Sequence, residues 1–181
     1  SYAIGRTLDM VRGIGGPTEP HTARQDNGVV IRYERWTSWV VDRPYHDMPG
    51  LVEWVKGEIK RLNAKRYDRA YREEVHKFVR DQLAVFASAD PTGRGDPTVL
   101  ILESLPGLTY VYSVDTDLET FIYLAADYPD LVDEWLEAAL GDELRRVAAI
   151  ADPELIPVVL TADDLAYKSS TIFSPSWLRR Y

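Results

Sequence analysis

Two stretches decide the fold: Thr98-Val99-Leu100-Ile101-Leu102, closed by Glu103, and Ile156-Pro157-Val158-Val159-Leu160-Thr161-Ala162, closed by Asp163 and Asp164. A strand with one face in water alternates apolar and polar residues. Nearly unbroken apolar runs of this length suit strands covered on both faces, as in a parallel sheet. The sequence between them is helical. Thr116, with Glu119 three residues later, reads as a capping box for a helix turning Leu118, Phe121, Ile122 and Ala125 inward. Asp127, Pro129 and Asp130 start a longer helix whose apolar face runs Leu131, Trp135, Ala139 or Leu140, Leu144, Val147 and Ile150. Strand, helical crossover and strand make a right-handed parallel unit, so the fold class is α/β.

Working outward, Asp26-Asn27-Gly28 is turn chemistry, because Asn and Gly tolerate positive φ. The β-branched and aromatic runs 29–33 and 36–41 then predict an N-terminal β-hairpin. Asp47 and Pro49 open a helix with Leu51, Val55, Ile59 and Leu62 on one face. A second helix over about residues 67–86 is predicted to bury Tyr71, Val75, Phe78, Val79, Leu83 and Phe86. The expected organisation is one domain: loop and hairpin over 1–46, packing helices over 47–97 and β/α units over 98–181.

Composition removes several function classes. A net charge of −8 and a pI near 4.9, with basic and acidic residues interleaved, disfavour nucleic acid as a partner. Cysteine is absent, which excludes disulfides and thiolate metal sites from this chain and favours a reducing, cytoplasmic setting. Arg6, Asp9 and Arg12 interrupt the first residues, so no signal-peptide core forms there, and no membrane span follows. Phosphate-cradling loops, dinucleotide fingerprints and nucleophile elbows are missing.

In parallel α/β folds the strands' carboxyl ends share a rim, where polar residues are candidates for chemistry. Glu103, Asp163 and Asp164 meet that description. Such carboxylates accept hydrogen bonds from a substrate, hold a cation or move protons; an Asp there also commonly caps a loop. Tyr110 and Tyr112 follow the first strand and are candidates for the same mouth, with packing as the alternative for one of them. Trp36 and Trp39 offer a substrate cover or hairpin packing. Lys168 and Arg43 suit a substrate carboxylate or solvent. His21, His46 and His76 lack ligand spacing, which points to local structural roles and to no metal site.

Asp163-Asp164-Leu165-Ala166-Tyr167-Lys168, with Ile172-Phe173-Ser174-Pro175 and Trp177-Leu178 after it, resembles the uroporphyrinogen decarboxylase superfamily. Leu105-Pro106-Gly107-Leu108-Thr109-Tyr110-Val111-Tyr112 looks like that superfamily's loop after a barrel strand, and Asp127-Tyr128-Pro129-Asp130-Leu131-Val132 like one of its helix starts. The hairpin and the approach from Pro44 to Leu51 are similar to its N-terminal part. The resemblance implies part of a (β/α)₈ TIM barrel, and one of two activities on a small-molecule substrate. The first is methyl transfer between a methylated amine or methoxy compound and a corrinoid protein, often with zinc; the second is cofactor-free decarboxylation of uroporphyrinogen in porphyrin and haem biosynthesis. Tyr112 stands where the decarboxylases carry an active-site tyrosine, whereas Asp164 replaces a small hydroxyl residue. Their arginine-bearing N-terminal segment and pyrrole-holding aspartate have no counterpart here, and an acidic rim suits an octa-acid poorly. The resemblance therefore leans to methyl transfer, with Asp163, Asp164 and Tyr112 as catalytic candidates and Glu103, Tyr110, Trp36 and Lys168 as substrate-binding ones. Acidic and aromatic groups suit such substrates through cation–π or stacking contact. Zinc and the corrinoid protein would belong to the full-length enzyme, and no cofactor is expected on this chain alone.

Ser174-Pro175 opens a helix just before Tyr181, and the chain starts at Ser1. With two clear parallel strands against the eight of a barrel, the expectation is a fragment of a larger protein. The non-enzymatic alternative is an inert scaffold or association module whose open sheet edges pair in a homodimer.

Overall fold

The computed structural model of the chain describes residues 10–12, 19–35, 37–88, 99–104, 108–161 and 163–180. It is a mixed α/β arrangement in which helices outweigh two small sheets. The strands are β1 (Met10–Arg12), β2 (His21–Arg24), β3 (Val30–Tyr33), β4 (Ser38–Asp42), β5 (Val99–Ser104) and β6 (Val158–Thr161). The helices are α1 (Met48–Ala64), α2 (Arg69–Ser88), α3 (Leu108–Tyr110, running into a π-helical turn over Val111–Asp115), α4 (Leu118–Asp127), α5 (Pro129–Ile150) and α6 (Pro175–Leu178).

The two apolar runs do lie side by side. β5 and β6 pair in parallel, Ile101 opposite Val158 and Ser104 opposite Thr161. On its other edge β5 pairs in parallel with β1, a strand the sequence reading does not anticipate, giving the order β1-β5-β6. These three strands do not amount to a closed barrel. The hairpin is also present, enlarged to an antiparallel meander by β2. The β2–β3 turn depends on Gly28, whose φ of +91° lies where glycine alone is comfortable; a Cβ there would stand 3.1 Å from the Cβ of Pro44.

Helix α1 starts where Asp47 and Pro49 predict it, the Asp47 carboxylate accepting from the Gly50 amide at 2.8 Å. It buries Leu51, Val52, Val55, Ile59 and Leu62. Packed across it is α5, whose Trp135 is fully buried and meets the Trp54 ring edge-on at 5.6 Å. With α4 and the segment around Phe173, these helices enclose the main core. Burying a side chain as large as Trp135 contributes several kcal/mol, so this helix–helix contact anchors the molecule.

Some predicted faces are rotated. Ile122 is about half exposed, and Leu124 takes the inward place beside Phe121. In α5, Leu140 and Leu144 face outward while Val132, Ala138 and Asp142 are buried, because Asp142 turns in to meet Tyr67 and Lys65. Phe78 is half exposed and Val79 takes the core side of α2. The cap of α4 is Asp117, accepting from the Thr120 amide at 2.9 Å, not the predicted Thr116, which is buried and donates to the Val111 carbonyl. His76 is a buried pin, its Nε2 at 2.9 Å from the Ile150 carbonyl. Among the described residues no helix is long and apolar enough to cross a membrane.

Candidate functional site

Because β5 and β6 run in parallel, their carboxyl ends open on one rim. Glu103 lies opposite Leu160 in the ladder, and Asp163 follows Thr161 by two residues. Helix α3 starts at this rim and is tied to the end of β6. The Asp163 carboxylate accepts from the Thr109 amide at 2.8 Å, the Asp164 amide donates to the Thr109 hydroxyl at 2.7 Å, and the Tyr112 hydroxyl donates to the Asp164 carbonyl. Asp163, Asp164 and Tyr112 are thus brought together. Asp163 satisfies an amide in the first turn of α3, as a carboxylate at a helix start does. Tyr112 is buried, its ring 5.6 Å from Phe173, which in turn stacks on Trp177 at 4.7 Å. The Asp164 side chain is exposed, and Lys168 is exposed on the loop that follows.

Other candidates are elsewhere. Trp36 and the side chain of Glu103 lie outside the described residues, and Trp39 is largely exposed on β4. Arg43 serves the backbone: its guanidinium donates to the Val114 and Thr116 carbonyls at 3.2 and 2.6 Å. Tyr110 is two residues before Tyr112 on a helical segment, so the two rings leave it on different sides. Tyr112 packs at the rim, whereas Tyr110 lines a cavity of about 370 Å³ between the β2–β3 turn, α1, the π-helical turn and α5.

That cavity holds groups the sequence reading missed. Asp115, at the end of the π-helical turn, is 5% exposed, and its Oδ1 accepts from the Asn27 side chain at 2.8 Å. Burial, reinforced by the nearby Glu58 carboxylate, pushes the Asp115 carboxyl up to about 7, against the lowering effects of Asn27, Arg61 and Arg43. Glu58 itself is buried and ion-paired: Arg61 Nε donates to its Oε2 at 2.6 Å and Nη2 to its Oε1. At the α5 end, Lys65 and Arg145 flank Asp142 at 3.3 and 3.5 Å. Tyr110 has its hydroxyl pushed up to about 12 by burial and by Asp115. One signal for this site was available, since Glu58 and Arg61 interrupt the apolar stripe of α1 one turn apart. Nothing in the sequence around Asp115 marks it.

Among the described residues no group of three or more His, Cys, Asp or Glu side chains is placed to hold a metal ion. Compared with protein-family models, curated proteins and solved structures, the chain finds no match in any of the three.

Proposed function

We propose that the chain contributes strands and helices to a (β/α)₈-type enzyme resembling the uroporphyrinogen decarboxylase superfamily, acting on a small molecule at the carboxyl rim of β5 and β6. The reading leans to methyl transfer from a methylated amine or methoxy compound to a corrinoid protein. The observation that carries it is the parallel pairing of β5 with β6, whose ends bring Asp163, Asp164 and Tyr112 into one hydrogen-bonded group. Asp163 and Tyr112 position: one holds the start of α3, the other clamps the backbone at Asp164. That leaves the exposed Asp164 carboxylate to meet an ammonium or to accept a hydrogen bond from the substrate. A corrinoid protein would supply the methyl acceptor, and Asp164 would hold the substrate's nitrogen or oxygen as the carbon–heteroatom bonding pair returns to that atom. The described residues do not fit a zinc site, so no step here is routed through zinc.

The test is methyl transfer from methylated amines and methoxylated aromatics to a cobalamin acceptor, followed by the acceptor's absorption. Activity in the parent and a loss of about tenfold or more in Asp164→Ala support the reading. Equal activity in the variant removes Asp164 from the site, and uroporphyrinogen turnover in place of methyl transfer would move the reading to decarboxylation.

A further inference from the structure

The cavity behind Tyr110 has a feature the rim does not share. Of its acidic groups, Glu58 and Asp142 are each matched by a basic side chain at ion-pair distance. Asp115 accepts from the Tyr45 hydroxyl at its backbone carbonyl, but among the described residues its carboxylate forms no ion pair and its one hydrogen bond is from Asn27 to Oδ1. Its Oδ2 therefore has no protein donor, although the residue is more than nine-tenths buried and forms part of the cavity wall. The Tyr110 hydroxyl lines the same space, again with no hydrogen-bond partner among the described residues. Neither oxygen is walled off as a fully buried unpaired atom, so both keep an open side on which a ligand could meet them.

We propose that this cavity is a binding site for a small organic cation, a primary or secondary ammonium on a short apolar body, with the ammonium on Asp115 Oδ2 and the Tyr110 hydroxyl. A buried carboxylate that Arg61 and Arg43 influence without forming an ion pair to it is best met by a ligand that supplies the charge together with N–H donors. A divalent metal fits less well. It needs several oxygens, and both oxygens of Glu58 are occupied by Arg61. The remaining wall explains the apolar body: Leu62, Val111, Trp135 and Ala139 lie alongside the polar groups. A cavity of about 370 Å³ is at the small end of ligand pockets and admits a molecule of modest size.

The site is independent of the rim, since it uses the side of α3 and its π-helical turn away from Asp164. Benzylamine serves as the probe and benzyl alcohol as its uncharged counterpart, each titrated into the chain by calorimetry at pH 8. Saturable benzylamine binding at about 1 mM or tighter is expected, with benzyl alcohol at least about tenfold weaker. Asp115→Asn should reduce benzylamine affinity by about tenfold or more, and Tyr110→Phe by several-fold, in proteins whose circular dichroism matches the parent. The methyl-transfer assay reads the rim and is scored separately, so its failure is told apart from a failure of benzylamine binding, which is read on the Asp115→Asn and Tyr110→Phe proteins. Equal binding of amine and alcohol, unchanged affinity in both cavity variants, or no saturation in the millimolar range would overturn the proposal.

Discussion

Replacing Asp115 by Asn keeps the shape of the side chain and the oxygen that accepts from Asn27, but removes a negative charge from a site 5% exposed. The carboxyl is raised from 3.8 to about 7 in the folded chain, so folding favours its protonated form. The stability this contributes is fully present below pH 4 and is lost as pH rises to about 7, above which the loss is complete. At about 1.4 kcal/mol for each pH unit, the ionised group costs the fold up to about 4 kcal/mol at pH 8. The groups that set this balance are Glu58 and Arg61 from α1, Arg43 after β4 and Asn27 from the β2–β3 turn. All four persist in the variant. Other titrations are shared by both proteins and cancel in their difference. Against the gain stands a new amide facing the place of Oδ2, which costs about 1 kcal/mol if unpaired. Asp115→Asn should therefore fall about 1 kcal/mol below the parent near pH 4 and exceed it by about 2–3 kcal/mol at pH 8. Urea unfolding followed by tryptophan fluorescence at several pH values measures this, with the buried Trp135 as reporter. Parallel pH curves for the two proteins, or a variant less stable than the parent at pH 8, would refute the reasoning.

Two further substitutions probe the frame around the sites. Gly28→Ala puts a Cβ on a residue with φ of +91° and against Pro44, so a loss of about 1–2 kcal/mol is expected, read as a lower urea midpoint with unchanged slope. Trp135→Ala empties the centre of the α1–α5 contact and should cost about 3–5 kcal/mol; a loss below about 1 kcal/mol would show that the core closes over the gap.

Much of the local architecture was legible because it is written in short-range chemistry. Asp47 before Pro49, Ser174 before Pro175 and the Asn27-Gly28 turn act on their own neighbours, and each appears where the sequence places it. The parallel pair was legible too, from two apolar runs that no amphipathic surface strand would show. Residues 10–12 were not, since three residues carry no periodicity and their pairing depends on a distant β5. Helix faces drifted where a polar residue entered the core for a partner elsewhere, as Asp142 does for Tyr67 and Lys65. Asp163 and Asp164 were singled out from a strand end, Tyr112 from its place after the first strand and from the resemblance. Asp115 was hidden because its surroundings come from three separate stretches, 24–27, 58–65 and 135–143.

The register of β1 against β5 bears on how the chain is made. Met10 meets Val99, so the first strand leaves the ribosome long before the backbone that will hydrogen-bond to it exists. At roughly 5–20 residues per second, that interval lasts several seconds. The antiparallel meander and the two helices after it need only nearby residues and form early, whereas the parallel sheet must wait for long loops to close. Through that wait β1 lacks its β5 partner, and assembly of the rim at the ends of β5 and β6 falls late in folding.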